Sequence, residues 1–144
     1  MDGVFNTELT APFDIFQHTI FRDSIKAMNV FTLANTENAA HTFEGMRILP
    51  DYDYVTDNLP TIDILVVPSA EHHLDSDLED TVMLDFIPKV DKEALFITSA
   101  GGAKSFEAAL YLTECLYGKK IAQSLADGLV IDWNLEEVPH SIIE

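Results

Sequence analysis

The sequence predicts an α/β protein, on three observations. A strand, a glycine turn and a long helix follow one another between Ala94 and Asn134. Ile62–Val67 is a nearly continuous run of leucine and β-branched residues, the pattern of a strand buried on both faces of a parallel sheet. Several further segments carry apolar residues at helical spacing. Apolar strands alternating with amphipathic helices describe a layered sheet rather than a helical bundle.

Glu8–Ala27 reads as a helix, with Leu9, Phe13, Phe16, Ile20 and Phe21 on one stripe. Pro12 fits only a first turn, so regular helix is expected from about Ala11. Val30–Ala34 is a short strand and Asn35–Thr42 a polar loop. Met46–Leu49 is a second short strand, ended by Pro50-Asp51. Ile62–Val67 is the central strand. Ser76-x-x-Glu79 matches a capping box opening a helix with Leu78, Val82 and Phe86 inward, and Pro88 stops it.

Leu95–Thr98 is an apolar strand. Gly101-Gly102 then turn the chain without a side-chain clash. Ser105 is the expected N-cap of a helix with apolar positions Phe106, Ala109, Leu110, Leu116 and Tyr117. A second helix follows Gly118, with Ile121, Ala122, Leu125 and Ala126 on one side. Leu129–Ile131 and a polar tail end the sequence.

Composition bounds the function. A length of 144 residues suits a single domain over 1–144. An apolar content of 47% is that of a folded protein. The formal net charge is −17 with only 8 Lys and Arg. That balance argues against nucleic acid, whose phosphates need basic patches, and against anionic membrane surfaces. One cysteine forms no internal disulfide, which points to a reducing, cytoplasmic compartment. No basic-then-apolar leader opens the sequence, and no apolar run approaches the roughly 20 residues that cross a bilayer.

Several segments together resemble a known family. Asp2-Gly3 through Glu8, with Pro12 and Asp14, resembles the stretch after the first strand of ThiJ/PfpI domains, a branch of the class I glutamine amidotransferase-like group. Pro50-Asp51-Tyr52 and Asp63–Pro68 resemble the middle of such a domain. Ile97–Gly102, Ala109–Leu112 and Val130–Trp133 resemble its C-terminal end. The resemblance implies a flavodoxin-like three-layer sandwich with a mostly parallel sheet, dimer formation, and action on small carbonyl, amide or isocyanide substrates or peptides through a cysteine nucleophile. It also implies what this sequence lacks. The nucleophile elbow would fall before Leu95, and Lys89–Ala94 contain no cysteine and no room for it. The family's first strand would precede Asp2-Gly3. The expectation is an incomplete domain without cysteine-dependent catalysis.

The candidate site residues follow. Glu8 matches, by resemblance, the acidic residue set beside the family's cysteine. A carboxylate there could take a proton or hold a water, or simply favour a helix N-terminus. Ser69 and Ala70 stand where the family has a glycine pair whose N–H groups face an oxyanion. Glu71-His72-His73-Leu74-Asp75-Ser76-Asp77 is the densest polar cluster. His72 is a candidate base, but adjacent histidines diverge and no His follows at i+4 on a helix, so no metal is expected. Gly101 and Gly102 open a helix whose N-terminus could hold a small anion. The run through Ser105 is too short for G-x-x-x-x-G-K-[ST], and no cofactor is expected.

Cys115, beside Glu114 in mid-helix, reads as a small packed hydrophobe rather than an activated thiol. Three functions remain open from sequence: a domain that has lost catalysis, a small-molecule hydrolase, amidase or lyase using Glu8 and His72, and an acidic module that dimerises. The expected partners are a small-molecule ligand and a second copy of the chain.

Overall fold

A computed structural model of the chain describes residues 3–71, 79–90 and 101–137. It is an α/β fold with a small parallel strand pair, a short antiparallel pair and helices. The chain divides into two compact units. One comprises Met1–Thr10 and Val30–Phe96, the other Ala11–Asn29 and Ile97–Glu144.

The first unit carries the strands. β1 (Leu33–Ala34) pairs in parallel with β4 (Tyr52–Asp53), in register Leu33 to Tyr52. Asp51 secures this pairing, because its carboxylate accepts from the Thr32 N–H at 2.7 Å and from the Thr32 hydroxyl at 2.9 Å. β4 lies where the sequence suggested only a strand end at Pro50-Asp51. β2 (Ala40–His41) pairs antiparallel with β3 (Arg47–Ile48). β3 lies within the expected Met46–Leu49 strand, whereas β2 replaces part of the expected loop. Gly45, at φ 91°, turns the hairpin between them, as a positive φ requires.

Ile62–Val67 corrects the expectation of a central strand. Among the described residues it forms no strand. A strand exists only through a neighbour that takes up its N–H and C=O groups. The segment beginning Gly3 pairs with this part of the chain only from Ser69 onward, and the expected strand Leu95–Thr98 lies outside the described residues. The apolar side chains are accordingly exposed, Ile64 by 37%, Val66 by 43% and Val67 by 50%.

α2 (Thr81–Val90) opens on Asp80, whose carboxylate caps the Met83 N–H at 3.0 Å. The expected cap Ser76 and inward Leu78 lie outside the described residues. Pro88 falls inside the last turn rather than before the helix end, where its missing N–H costs one bond only. Phe86 stacks on Tyr54 at 4.5 Å between centroids. Burial, then the charges of Asp80 and Asp53, hold the Tyr54 phenol above its ordinary pKa.

α1 (Asn6–Gln17) begins in the first unit and continues into the second. It starts earlier than expected, with Pro12 buried in its middle instead of its first turn. It also ends earlier, in a 3₁₀ turn over His18–Phe21. Thr19 explains the early end. Its fully buried hydroxyl donates to the Phe16 carbonyl at 2.6 Å and accepts from the Met28 N–H at 2.9 Å, turning the chain back.

α3 (Lys104–Tyr117) and α4 (Lys119–Gly128) pack on one another and are joined by Gly118 at φ 86°. Gly101 and Gly102, at φ 83° and 54°, start α3 directly. The Lys104 and Ser105 N–H groups bond the Gly101 and Gly102 carbonyls, so Ser105 lies inside the first turn and is not the N-cap. Ile15, Leu110 and Leu125 are fully buried in this second unit, and the Trp133 indole N–H donates to Glu114 at 3.0 Å. α4 ends in a Schellman turn: Ile131 N–H reaches the Ala126 carbonyl at 2.8 Å and Val130 N–H the Asp127 carbonyl at 3.2 Å. Val130 itself takes φ 58°. Among the described residues no helix is long and apolar enough to cross a membrane.

Candidate functional site

The candidate site is built around the short extended run Gly3-Val4-Phe5. Its backbone is shared by two segments of the first unit. On one side Gly3 N–H donates to the His41 carbonyl at 2.7 Å, and Phe43 N–H to the Val4 carbonyl at 3.0 Å. On the other, Phe5 N–H donates to the Ser69 carbonyl at 3.1 Å, and Glu71 N–H to the Gly3 carbonyl at 2.9 Å. Val4 and Ala70 are buried against this pairing. Gly3 must be glycine. It has φ 77°, and a Cβ added there would lie 3.3 Å from the Glu71 Cβ.

Two residues beyond Val4 the chain enters α1. The Glu44 carboxylate accepts from the Asn6 N–H at 3.0 Å, satisfying one of the donors left open at a helix start. Glu8, in the first turn of α1, reaches across to Ser69. One carboxylate oxygen of Glu8 accepts both the Ser69 N–H, at 3.0 Å, and the Ser69 hydroxyl in a short hydrogen bond. Two carboxylates at one helix N-terminus are favourable to its dipole. The Asn6 Oδ1 is buried and has no hydrogen-bond partner among the described residues.

The structure therefore brings together three of the residues singled out from sequence: Glu8, Ser69 and Ala70. His72 lies outside the described residues. Gly101 and Gly102 belong to the second unit, where they form the start of α3. Sequence reasoning named Glu8 and Ser69 separately and missed that they are partners. They are 61 residues apart, and no local pattern encodes a contact at that distance. It also missed Val4, whose pairing sets the position of Ser69, and Glu44, which caps α1.

Chemically, the Glu8 carboxylate is an acceptor already engaged by a hydroxyl and an amide. A charge-assisted pair of this kind is stronger than a neutral hydrogen bond and orders the Ser69–Glu71 backbone. Among the described residues no group of three or more His, Cys, Asp or Glu is placed to hold a metal ion. Cys115 is exposed on α3, in the second unit, and so is not the small packed hydrophobe expected from sequence. The Tyr111 phenol is raised above its ordinary pKa, chiefly by its hydrogen bond to Cys115, then by the thiolate charge and burial. Glu8 belongs to the first unit and Cys115 to the second.

Neither a protein-family model nor a curated protein sequence matches this chain. Solved structures do. The chain is similar to DJ-1beta of Drosophila melanogaster at 19% identity, covering 92% of this chain and 95% of that one, with a TM-score of 0.55. A second likeness is to an AraC family transcriptional regulator from Pseudomonas putida, at 17% identity over 90% and 94% of the two chains, with a TM-score of 0.48. At such identity the likeness to DJ-1beta speaks for the fold alone, and the chain has a DJ-1-like α/β fold.

Proposed function

We propose that this chain is a ThiJ/PfpI-type domain, a flavodoxin-like three-layer sandwich, without cysteine-dependent catalysis. In this reading Glu8, at the family's acidic position, serves as a clamp on the Ser69–Glu71 segment. The observation that carries the reading is the double engagement of Glu8 by the Ser69 N–H and hydroxyl. By resemblance, the acidic residue lies beside a thiol; here it holds a serine. The single cysteine supports the same reading, because it sits in the last turn of α3 beside the anionic Glu114, whereas the N-terminus of its own helix is where a thiol is activated. One cysteine also suits a reducing, cytoplasmic setting.

The test is turnover of methylglyoxal and simple amides by the purified protein and by Cys115→Ser. Background rates in both are expected. Turnover well above background that disappears in Cys115→Ser would overturn the proposal.

A second reading concerns assembly. The exposed Ile64, Val66 and Val67 lie on a segment with no strand partner among the described residues. A row of exposed apolar side chains favours self-association, since a second copy can cover it. The net charge of −17 opposes the approach of copies and salt relieves that repulsion. Light scattering across a dilution series in moderate salt is expected to show a dimer or larger species. A compact monomer at every concentration would remove this reading and leave the first one standing.

A further inference from the structure

We draw no further inference here: the strongest candidate, the shallow depression along α4 lined by Lys119, Lys120, Gln123, Ser124 and Asp127, rests on a helix N-terminus with surface lysines, one of them within 3.9 Å of Glu136, and no second observation points to a ligand.

Discussion

The two compact units of this chain are stabilised by different means. In the second, the helices bury large side chains completely: Ile15, Leu110 and Leu125 have no exposed surface, and Trp133 is nearly covered. In the first, the buried apolar residues among those described are small, namely Val4, Ala34 and Ala70. There the order comes from backbone pairing around Gly3–Phe5 and from the side-chain clamp between Glu8 and Ser69. The contrast teaches that one unit relies on non-directional burial and the other on directional bonds. Burial scales with the apolar area removed from water, while each hydrogen bond contributes little beyond what water offers the separated groups. Core truncations should therefore hurt the second unit most, and polar truncations should matter most in the first.

The largest effect is expected from Leu110→Ala. Leu110 is fully buried on α3, and a buried leucine truncated to alanine costs about 2–5 kcal/mol through lost transfer energy and the cavity left behind. Val4→Ala, in the first unit, removes fewer atoms and should cost clearly less. Urea unfolding of both variants checks this. A Leu110→Ala loss below about 1 kcal/mol would mean that its site collapses freely, and would erase the contrast between the units.

The same contrast explains what was legible in the sequence. α4 was readable in full, because Ala122, Leu125 and Ala126 repeat with the helical period and Gly118 marks its start. α3 was readable as a helix, but two glycines of positive φ set its first turn, and Leu116, expected on its apolar face, is 50% exposed. α1 was readable as a helix, but its end is fixed by the Thr19 bond to Met28, nine residues on. In the strand unit local pattern found β1 within Val30–Ala34 and β3 within Met46–Leu49, and failed elsewhere. Ile62–Val67 has the composition of a buried strand and no described partner, whereas the unremarkable Ala40–His41 and Tyr52–Asp53 have partners and pair. Period and composition say what a segment could bury, and only the rest of the chain says what it meets. The site shared this limit: Glu8 and Ser69 were visible as polar residues near element ends, but their pairing, across 61 residues, was not.

An intermediate effect is expected at that clamp. Ser69→Ala removes the hydroxyl that Glu8 accepts, and Glu8→Ala removes the acceptor for both the hydroxyl and the Ser69 N–H. Hydrogen bonds to a charged group contribute about 1.5–3 kcal/mol, so Glu8→Ala should lose stability in that range and Ser69→Ala less. The double variant should lose about as much as Glu8→Ala alone, since each truncation removes the same interaction. Chemical denaturation of all four proteins gives the coupling. Losses that simply add would show that the two side chains act independently, and the clamp would lose its role in the proposed function.

The smallest effect is expected at Val130, with the opposite sign. Val130 holds φ 58°, a left-handed conformation that disfavours β-branched residues, and its side chain is 93% exposed. The left-handed position at the end of α4 is the place where glycine normally stands, while this chain carries its glycine at Gly128, inside the helix. There a Cβ would come within 3.3 Å of the Arg22 guanidinium, which reaches the Ser124 carbonyl. Gly128 thus lies close under the Arg22 guanidinium, and the turn falls to a valine. Left-handed backbone costs a non-glycine residue about 1–2 kcal/mol, and glycine's extra freedom in the unfolded chain returns part of that difference. Val130→Gly should therefore stabilise the protein by about 1 kcal/mol, read as a higher denaturant midpoint with an unchanged slope. The exposed side chain leaves no cavity when removed. A fall in stability would mean that Val130 is covered in solution, and would direct the search for the association surface to the helical unit instead of Ile64–Val67.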